Sequence, residues 1–517
     1  MPTIVIDPVN RIEGHLRVEA VLDDGAVQTA KSAGTMFRGF EVILRGRHPV
    51  DAQRITQRVC GVCPTAHASA SAQALDMAFG VADQIPDNGR ILRNLILGAN
   101  ILQSHILHFY HLAALDYVDV AAAADYAGDN DDLLAVRDFV ARGQLAPFLP
   151  RYEGDYRLSK DLNLKATADY AQALRMRKVC HEMLAVFGGK MPHNCGIVPG
   201  GVSQGPTTSR IAAFLGRLQH VRSFIHQCYV PDVLAVAAAY PDHCAIGDAS
   251  GGYLTYGNFD QAVSLAPLRG RDRYFQPGVL LDGEVQPLDV ARITEAVTHS
   301  RFDGDGPLFP IHETTTPQPT KDGAYSWIKS PRYGGQVVEV GPLAQILVNY
   351  HLGHETVKAE VDAALSELGA DADALHSVMG RHLARALHAK IIADRMVDWL
   401  QALQPGEPCC AQWTVPDADD GCGLVDAPRG AVGHWIQVRD GKIHNYQLVV
   451  PTTWNASPQD DQDQPGPIEQ ALMNTPIRDP ENPFEVVRIV RSFDPCLACA
   501  VHVATPRGRS LGEFRIA

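Results

Sequence analysis

Two Cys-x-x-Cys pairs lie near opposite ends of the chain. Cys60 and Cys63 form the first pair, and Cys496 and Cys499 form the second. Four thiolates from two pairs can hold a structural zinc ion or an iron–sulfur cluster, and a single pair can be a dithiol redox site. The spacing alone favours structural zinc at about one half and a redox metal at about one third, with coincidence as the remainder.

The separation of the two pairs shifts this balance towards a redox metal. Small zinc modules keep their Cys pairs close in sequence, whereas here nearly the whole chain lies between them. His67 follows Cys63 by four positions, so on a helix its imidazole can hydrogen-bond towards that sulfur. A site that assembles only when the entire chain has folded is more typical of a functional centre than of a local structural metal site.

Three charged residues stand in Gly- or Pro-containing turns, where packing explains them poorly: Glu13, Glu41 and Arg429. Each also has an ordinary structural interpretation. Glu13 can pair with Arg11 or His15 on the surface, Glu41 can complement the dipole at a helix start, and Arg429 can be a surface turn residue. Taken singly, each ordinary interpretation is favoured.

Composition excludes several classes of protein. The 517-residue chain is 46% hydrophobic and 20% charged, as in ordinary globular proteins, and its net charge of −14 predicts no nucleic-acid partner. It shows no apolar run of membrane-spanning length and no N-terminal signal peptide, so export would require a signal on a partner. We expect the seven Cys residues outside the two pairs to be buried small hydrophobes.

The hydropathy pattern predicts a mostly α-helical fold with β additions (α+β) in one large body over residues 1–502. Long helices are expected in a core at about 51–240, one of them over Tyr170–Phe187, and at 344–403. Strands are expected at about 3–33, with a hairpin turn at Asp24-Gly25. An α+β excursion is expected at about 243–340, and a hairpin around Asp440-Gly441 in the segment of about 405–502. Both termini should meet at a buried metal site.

Several motifs together resemble the large, catalytic subunit of nickel–iron hydrogenases over essentially the whole chain. They are Arg-Ile-Glu-Gly-His at 11–15, Arg-Gly-Phe-Glu at 38–41, Arg-Val-Cys-Gly-Val-Cys at 58–63, the 111–116 segment, Ala-Pro-Arg-Gly at 427–430, the 447–455 segment and the 494–502 segment. The form of the first Cys motif is similar to that of the respiratory, membrane-associated uptake group.

The resemblance implies a set of metal ligands. Cys60, Cys63, Cys496 and Cys499 would bind nickel, and Cys63 and Cys499 would bridge to an iron that carries carbonyl and cyanide ligands. Magnesium would be held by Glu41, the backbone carbonyl of Leu448 and His502.

It also implies roles for residues around the metals. Glu13 would be the first proton acceptor, with Cys496 as the thiolate that delivers the proton. Arg429, Asp116 and Asp494 would form a polar canopy, and Pro428 and Thr452 would line the diatomic ligands. Val62 and Leu115 would narrow the gas path, and His67 would support Cys63.

The family further implies partners and processing. The chain has no further Cys array for electron relay, so an iron–sulfur small subunit is expected. That subunit would pass electrons to a membrane cytochrome or a quinone acceptor. It would also carry the signal that exports both subunits to the cell envelope. Residues 503–517 would be removed by a maturation protease after nickel-insertion proteins have acted. The alternatives are a hydrogen-sensing subunit, a respiratory-complex relative without metals, and a structural zinc protein.

Overall fold

The computed structural model describes residues 2–143, 148, 151, 154–249, 251–263, 272–304 and 306–500. Helices account for 46% of the residues and strands for 19%. The predicted mostly helical α+β class is confirmed. Among the described residues, no helix combines the length and the apolar character that crossing a membrane requires.

The N-terminal strands form a three-stranded antiparallel sheet: β1 Thr3–Ile6, β2 Leu16–Asp23 and β3 Ala26–Gly34. The tight turn between β2 and β3 has positive φ at both Asp24 and Gly25, as the predicted Asp-Gly hairpin requires. Buried residues alternate along β2, so one face of this sheet packs on the core.

Helices build most of the core. They are α1 Phe40–Leu44, α2 Asp51–Thr56, α3 Pro64–Ala78, α4 Asp87–Leu107, α5 Asp131–Ala141, α6 Lys160–Gly188, α7 Thr208–Phe224, α8 Val230–Ala239, α9 Pro342–His351, α10 Glu355–Leu368, α11 Val378–Ala402, α12 Pro451–Asn455, α13 Pro467–Leu472, α14 Phe484–Ser492 and α15 Leu497–Ala500. The long helix α4 packs between α6 and α11. Single π-helical segments follow α4 at His108–Ala113 and α7 at Ile225–Tyr229.

The remaining strands lie in small sheets. They are β4 Ile197–Val198, β5 Gly201–Val202, β6 Gly252–Thr255, β7 Asn258–Asp260, β8 Arg273–Phe275, β9 Gly278–Leu281, β10 Glu284–Gln286, β11 Ile293–Ala296, β12 Ser330–Tyr333, β13 Val338–Val340, β14 Asp419–Ala427, β15 Gly430–Arg439 and β16 Lys442–Val449. The excursion contains a sheet of order β10-β9-β6-β13, in which β6 and β13 are parallel. The C-terminal sheet is antiparallel in the order β14-β15-β16.

The Ala-rich helix α3 lies unusually close to strand β14. A Cβ atom added at Gly423 would stand 1.8 Å from the carbonyl oxygen of Ala70. Only small residues on both elements permit this approach. The contact fixes the start of α3, and with it the first Cys pair, against the hairpin whose tip carries Arg429.

The two ends of the chain meet in a short parallel bridge between Glu13 and Cys496. The Leu497 amide donates to the Glu13 carbonyl oxygen at 2.8 Å. Gly14 has φ +81, and a Cβ atom there would come within 2.7 Å of the Leu497 Cβ. Glycine is therefore required where the N-terminal segment lies on the C-terminal Cys motif.

Candidate metal centre

The two Cys pairs converge on one buried point, as predicted. Cys60 and Cys496 have their Sγ atoms 3.3 Å apart, Cys63 and Cys499 3.5 Å, and Cys496 and Cys499 3.1 Å. All four Sγ atoms lie within 4.8 Å of one another. These separations are too long for disulfides and suit four ligands of a shared centre.

Helix ends present the four sulfurs. Cys63 is the N-cap of α3, which begins at a proline, and Cys60 stands in the extended link before it. The amides of Val62 and Cys63 point at the Cys60 sulfur, at 3.2 and 3.4 Å. Hydrogen bonds from the neighbouring thiols lower the pKa of Cys60 below its usual value, while burial raises the pKa of Cys496 and Cys499.

Glu13 stands beside the second Cys pair. Its Oε2 atom accepts a hydrogen bond from the Cys496 thiol at 3.2 Å and from the Ala498 amide at 2.8 Å. Burial and the Cys60 charge raise the pKa of Glu13. The surface ion pair with Arg11 or His15 is therefore not the arrangement observed, because Arg11 pairs with Asp116 instead.

Arg429 forms part of the wall of the centre. It is 2% exposed, which contradicts the interpretation of a surface turn residue. Its Nη2 atom donates to Asp494 Oδ1 at 2.9 Å, and its Nε atom donates to the Asp494 carbonyl oxygen at 2.8 Å. The thiol sulfurs and Asp494 raise the pKa of Arg429 although burial opposes this, so a fixed positive charge faces the sulfurs.

Asp116 is buried nearby in a different ion-pair set. It pairs with Arg11 and with Arg491, the latter at 2.7 Å. Burial raises the pKa of Asp116, but these two cations outweigh it and lower the pKa overall. No direct hydrogen bond joins Asp116 to Arg429 within the described part of the chain, so the three residues predicted for the canopy lie in two separate sets of ion pairs.

Glu41 and Leu448, two of the residues predicted to hold magnesium, are neighbours at a second polar point, and the contact between them is made by the Leu448 amide and not by its carbonyl. Glu41 lies in the first turn of α1 and is 3% exposed. It accepts a hydrogen bond from the Leu448 amide at 3.0 Å and one from the Thr315 hydroxyl. The third predicted ligand, His502, lies outside the described residues, as does the extension at 503–517.

Sequence reasoning missed three charged residues beside Glu41. Lys329 donates to Glu313 at 2.5 Å and to Glu295 at 3.2 Å, and all three side chains are buried. Burial raises the pKa of both carboxyls, with Lys329 opposing. These three residues lie far apart in the sequence, in strands and loops of the 243–340 segment, and no sequence motif connects them. Only the fold brings them together.

The remaining predicted residues take varied positions. Thr452 accepts a hydrogen bond from the Cys496 amide at 2.9 Å, and Pro428 precedes Arg429 in the β14–β15 turn. Val62 packs against the main core, whereas Leu115 belongs to a separate apolar cluster with Val120 and Phe148. Their role in narrowing a gas path stays a prediction.

His67 is fully buried, but its imidazole faces His434 and not the Cys63 sulfur as predicted. Its Nδ1 atom lies 3.1 Å from His434 Nε2. Its Nε2 atom makes no hydrogen bond to any described residue, so the predicted bond to the Cys63 sulfur is not formed. Burial lowers the pKa of His67 to about 4, which keeps the ring neutral.

The cysteines outside the two pairs correct a further expectation. Cys180 is buried as predicted, but Cys195 is exposed and the other five are intermediate. Four of these five pack against the edge of a hydrophobic cluster without being fully covered: Cys228, Cys244, Cys409 and Cys422. Among the described residues, the only His, Cys or carboxylate group spaced to hold a metal is the set of four thiols.

The donor set fits a soft redox metal. Four buried sulfurs alone would also suit zinc, but a closed structural zinc site has no use for an acid–base group at its sulfur. Glu13 at 3.2 Å from Cys496 Sγ and the buried Arg429 provide both a proton acceptor and a fixed charge. This arrangement favours catalysis over structural binding.

Comparisons with known proteins agree. A family model described as nickel-dependent hydrogenase matches residues 38–502, and one described as HoxL-like matches residues 3–33. The chain is 42% identical to the periplasmic [NiFeSe] hydrogenase large subunit of Desulfomicrobium baculatum, over 97% of this chain and 95% of that one. It is 37% identical to the uptake hydrogenase large subunit of Rhizobium leguminosarum bv. viciae, over 99% and 97%.

A solved structure shows the same architecture. The [NiFeSe] hydrogenase of Dm. baculatum superposes with a TM-score of 0.86 at 42% identity, covering 97% of this chain and 100% of that chain. In the present chain all four candidate ligand positions are cysteine. The chain belongs to the family of nickel-dependent hydrogenase large subunits.

Proposed function

We propose that this chain oxidises H2 reversibly to two protons and two electrons at a nickel–iron centre and passes the electrons to an iron–sulfur partner subunit. The observation that carries the proposal is the group of four buried Cys sulfurs with the Glu13 carboxylate 3.2 Å from one of them. Cys60, Cys63, Cys496 and Cys499 would hold the metals, with Cys63 and Cys499 as bridges. When bound, the centre supplies soft, redox-active atoms that polarise H2 and accept its electrons.

The chain's own residues move the proton. Cys496 Sγ holds the proton released from H2 and delivers it to Glu13 Oε2, which already accepts a hydrogen bond from that sulfur. The Ala498 amide fixes Oε2 in position, so the carboxylate does not have to reorient before transfer. Glu13 is partly buried, and the proton leaves through it towards solvent.

Arg429 and its neighbours shape the space above the sulfurs. The guanidinium is anchored twice to Asp494, which leaves its charge directed at the thiolates. A fixed cation there stabilises negative charge on sulfur and would do the same for carbonyl or cyanide ligands of an iron held by these cysteines. Pro428 and Thr452 would line those ligands, Asp116 would complete the polar wall, and Val62 and Leu115 would narrow the gas path.

Glu41 and the Leu448 carbonyl would hold magnesium together with His502. A hard cation prefers oxygen ligands, and Glu41 offers a buried carboxylate next to the Leu448 backbone. The proposal includes removal of residues 503–517 by a maturation protease after nickel insertion, which makes His502 the new C-terminus.

The electron partner is proposed from chemistry. The described residues contain no second Cys cluster, yet two electrons must leave the buried centre. An iron–sulfur small subunit would accept them and relay them to a membrane cytochrome or quinone. Relatives described as periplasmic and uptake enzymes support a location at the cell envelope, with export alongside the small subunit.

The test is an activity measurement on the anaerobically purified heterodimer. H2 oxidation coupled to reduction of an artificial dye is expected, with electrons and H2 consumed in a two-to-one ratio. A heterodimer that holds nickel and iron but shows neither H2 oxidation nor H2 evolution would refute the proposal.

A further inference from the structure

Arg38 opens the Arg-Gly-Phe-Glu motif, and the proposed function gives this residue no role. Its side chain is half-buried and donates three hydrogen bonds to backbone carbonyl oxygens. The Nη1 atom donates to Val59 at 2.8 Å and to Ala498 at 3.2 Å. The Nη2 atom donates to Arg58 at 2.7 Å. The guanidinium therefore binds main chain at three places.

The three carbonyl oxygens belong to the two Cys motifs. Arg58 and Val59 immediately precede the first Cys pair, and Ala498 lies between the two cysteines of the second pair. Ala498 is 460 positions away from Arg38 in the sequence, yet one nitrogen atom of Arg38 contacts both motifs. This contact joins the backbones of the two motifs directly and does not depend on a metal ion. We name Arg38 and its three carbonyl acceptors the Arg38 link.

The segment that carries Arg38 is itself held in place. The ring of Phe37 stacks on Trp327, with the ring centroids 5.2 Å apart. The guanidinium carbon of Arg38 lies 4.7 Å from the centroid of the Phe40 ring, a cation–π distance. Gly39, between these two residues, has φ 70, a left-handed conformation that favours glycine. Arg38 is thus presented in a fixed direction by its own neighbours.

Arg54 shows that an arginine bound to carbonyl oxygens is not unusual by itself. This residue lies on α2 and donates to the carbonyl oxygens of Asn194 at 3.1 Å and Cys195 at 3.2 Å. Both acceptors lie in one loop, so these bonds join no parts of the metal centre. Arg38 differs in the position of its acceptors. Its planar group, with five N–H donors, can reach carbonyl oxygens on two separate segments.

The Arg38 link also acts on the residue that holds Glu13. The amide of Ala498 donates to Glu13 Oε2 at 2.8 Å, and the carbonyl oxygen of Ala498 accepts from Arg38. Ala498 is therefore held on both sides. Because the Sγ atoms of Cys60 and Cys496 lie 3.3 Å apart without a covalent bond, their separation depends on how firmly the two backbones are joined.

We infer that Arg38 is a positioning residue that fixes the spacing of the two Cys pairs. Ligands that are held at their binding separation bind a metal more tightly than ligands that must be brought together. The link therefore slows the release of the metals that the four cysteines would hold. This part of the inference rests on the proposed function, whereas the joining of the two backbones does not.

Release of nickel is the first test. Native and variant heterodimers are incubated anaerobically with EDTA, and the nickel that stays with the protein is measured over time. Arg38→Met should release nickel about 10-fold faster than the native protein or more, because it loses three charge-assisted hydrogen bonds. Arg54→Met is the matched control and should release nickel at the native rate. Native release by Arg38→Met would overturn the inference.

Amide hydrogen exchange is the second test, and it does not require bound metal. Arg38→Met should exchange faster in residues 57–63 and 494–500, with no change in the loop at 194–203. Arg54→Met should exchange faster in that loop and not in the two Cys motifs. Unchanged exchange in the Cys motifs of Arg38→Met would refute the link. A rise spread evenly over the whole chain would also refute it, because it would indicate general destabilisation.

A second variant covers the case in which Arg38→Met yields no heterodimer. Arg38→Gln keeps a polar end, but its amide nitrogen lies two bonds short of the position of Nη1, so it cannot join the two motifs. It should show the same faster exchange and faster nickel release, and native values would overturn the inference. The exchange is read in any folded heterodimer. A native heterodimer without H2 turnover would therefore refute the proposed function and leave the test of Arg38 intact.

Discussion

Replacement of Glu13 by glutamine isolates proton transfer from metal binding. Glutamine has the shape of glutamate, and its carbonyl oxygen can still accept from the Ala498 amide, which lies 2.8 Å from Oε2 in the native chain. It cannot take a proton from Cys496 Sγ at 3.2 Å. Loss of a positioned general base costs about 10²- to 10⁴-fold in rate, or about 3–5 kcal/mol in activation free energy.

The assay is dye-linked H2 oxidation by the purified heterodimer, with nickel and iron measured in the same sample. Glu13→Gln should contain the same metals as the native protein and turn over about 10²- to 10⁴-fold more slowly. Glu19→Gln is the matched control, because Glu19 is a partly exposed carboxylate on β2 that pairs with Arg17. Native turnover in Glu13→Gln with full metal content would refute the assignment of Glu13 as proton acceptor.

Three further predictions concern the ligands, the polar wall and the core. Cys499→Ser should prevent assembly of the metal centre and removal of residues 503–517, and the protein should show no infrared bands from carbonyl or cyanide. The control Cys195→Ser, at an exposed position, should assemble the centre normally. A Cys499→Ser protein that is processed and contains nickel would count against the bridging role of Cys499. Arg429→Lys should keep the metals but lower H2 oxidation about 10- to 100-fold, because lysine cannot make both bonds to Asp494; unchanged activity would contradict its role. Burial raises the pKa of Glu469 from 4.5 to about 7, so its contribution to stability is complete below about pH 4.5 and is lost as the pH rises through 7. The free energy of unfolding should fall by about 3 kcal/mol over this pH range, or roughly 3 °C in Tm, and Glu469→Gln should not show this fall. Parallel plots of Tm against pH for the native and variant proteins would refute the raised pKa of Glu469.

The sequence pattern predicted local features well. Alternation and Asp-Gly turns located the N-terminal hairpin and the β15–β16 hairpin, since both signals are local. The start of α6 was predicted ten residues late, at 170, because the Ser159 cap at its true start precedes a stretch with few apolar residues. The β14–β15 turn was not predicted as a hairpin, since Pro428 and Arg429 lack the usual turn signature.

Long-range features were harder to predict. The parallel pairing of β6 with β13 joins segments more than 80 residues apart, and nothing local specifies it. The motifs identified Cys60, Cys63, Cys496, Cys499, Glu13 and Arg429. They did not identify Lys329 near Glu41, because a lone charged residue carries no information about its partners until the fold brings them together.

The most direct test of the account is the metal content of the mature heterodimer. The proposed ligand set, in which Cys63 and Cys499 would bridge two metals, predicts one nickel and one iron in the large subunit, beyond any iron that the proposed partner contains. Mutation of Cys63 to serine should remove both metals together. Zinc in place of nickel, or no nickel in a fully active protein, would contradict the central claim.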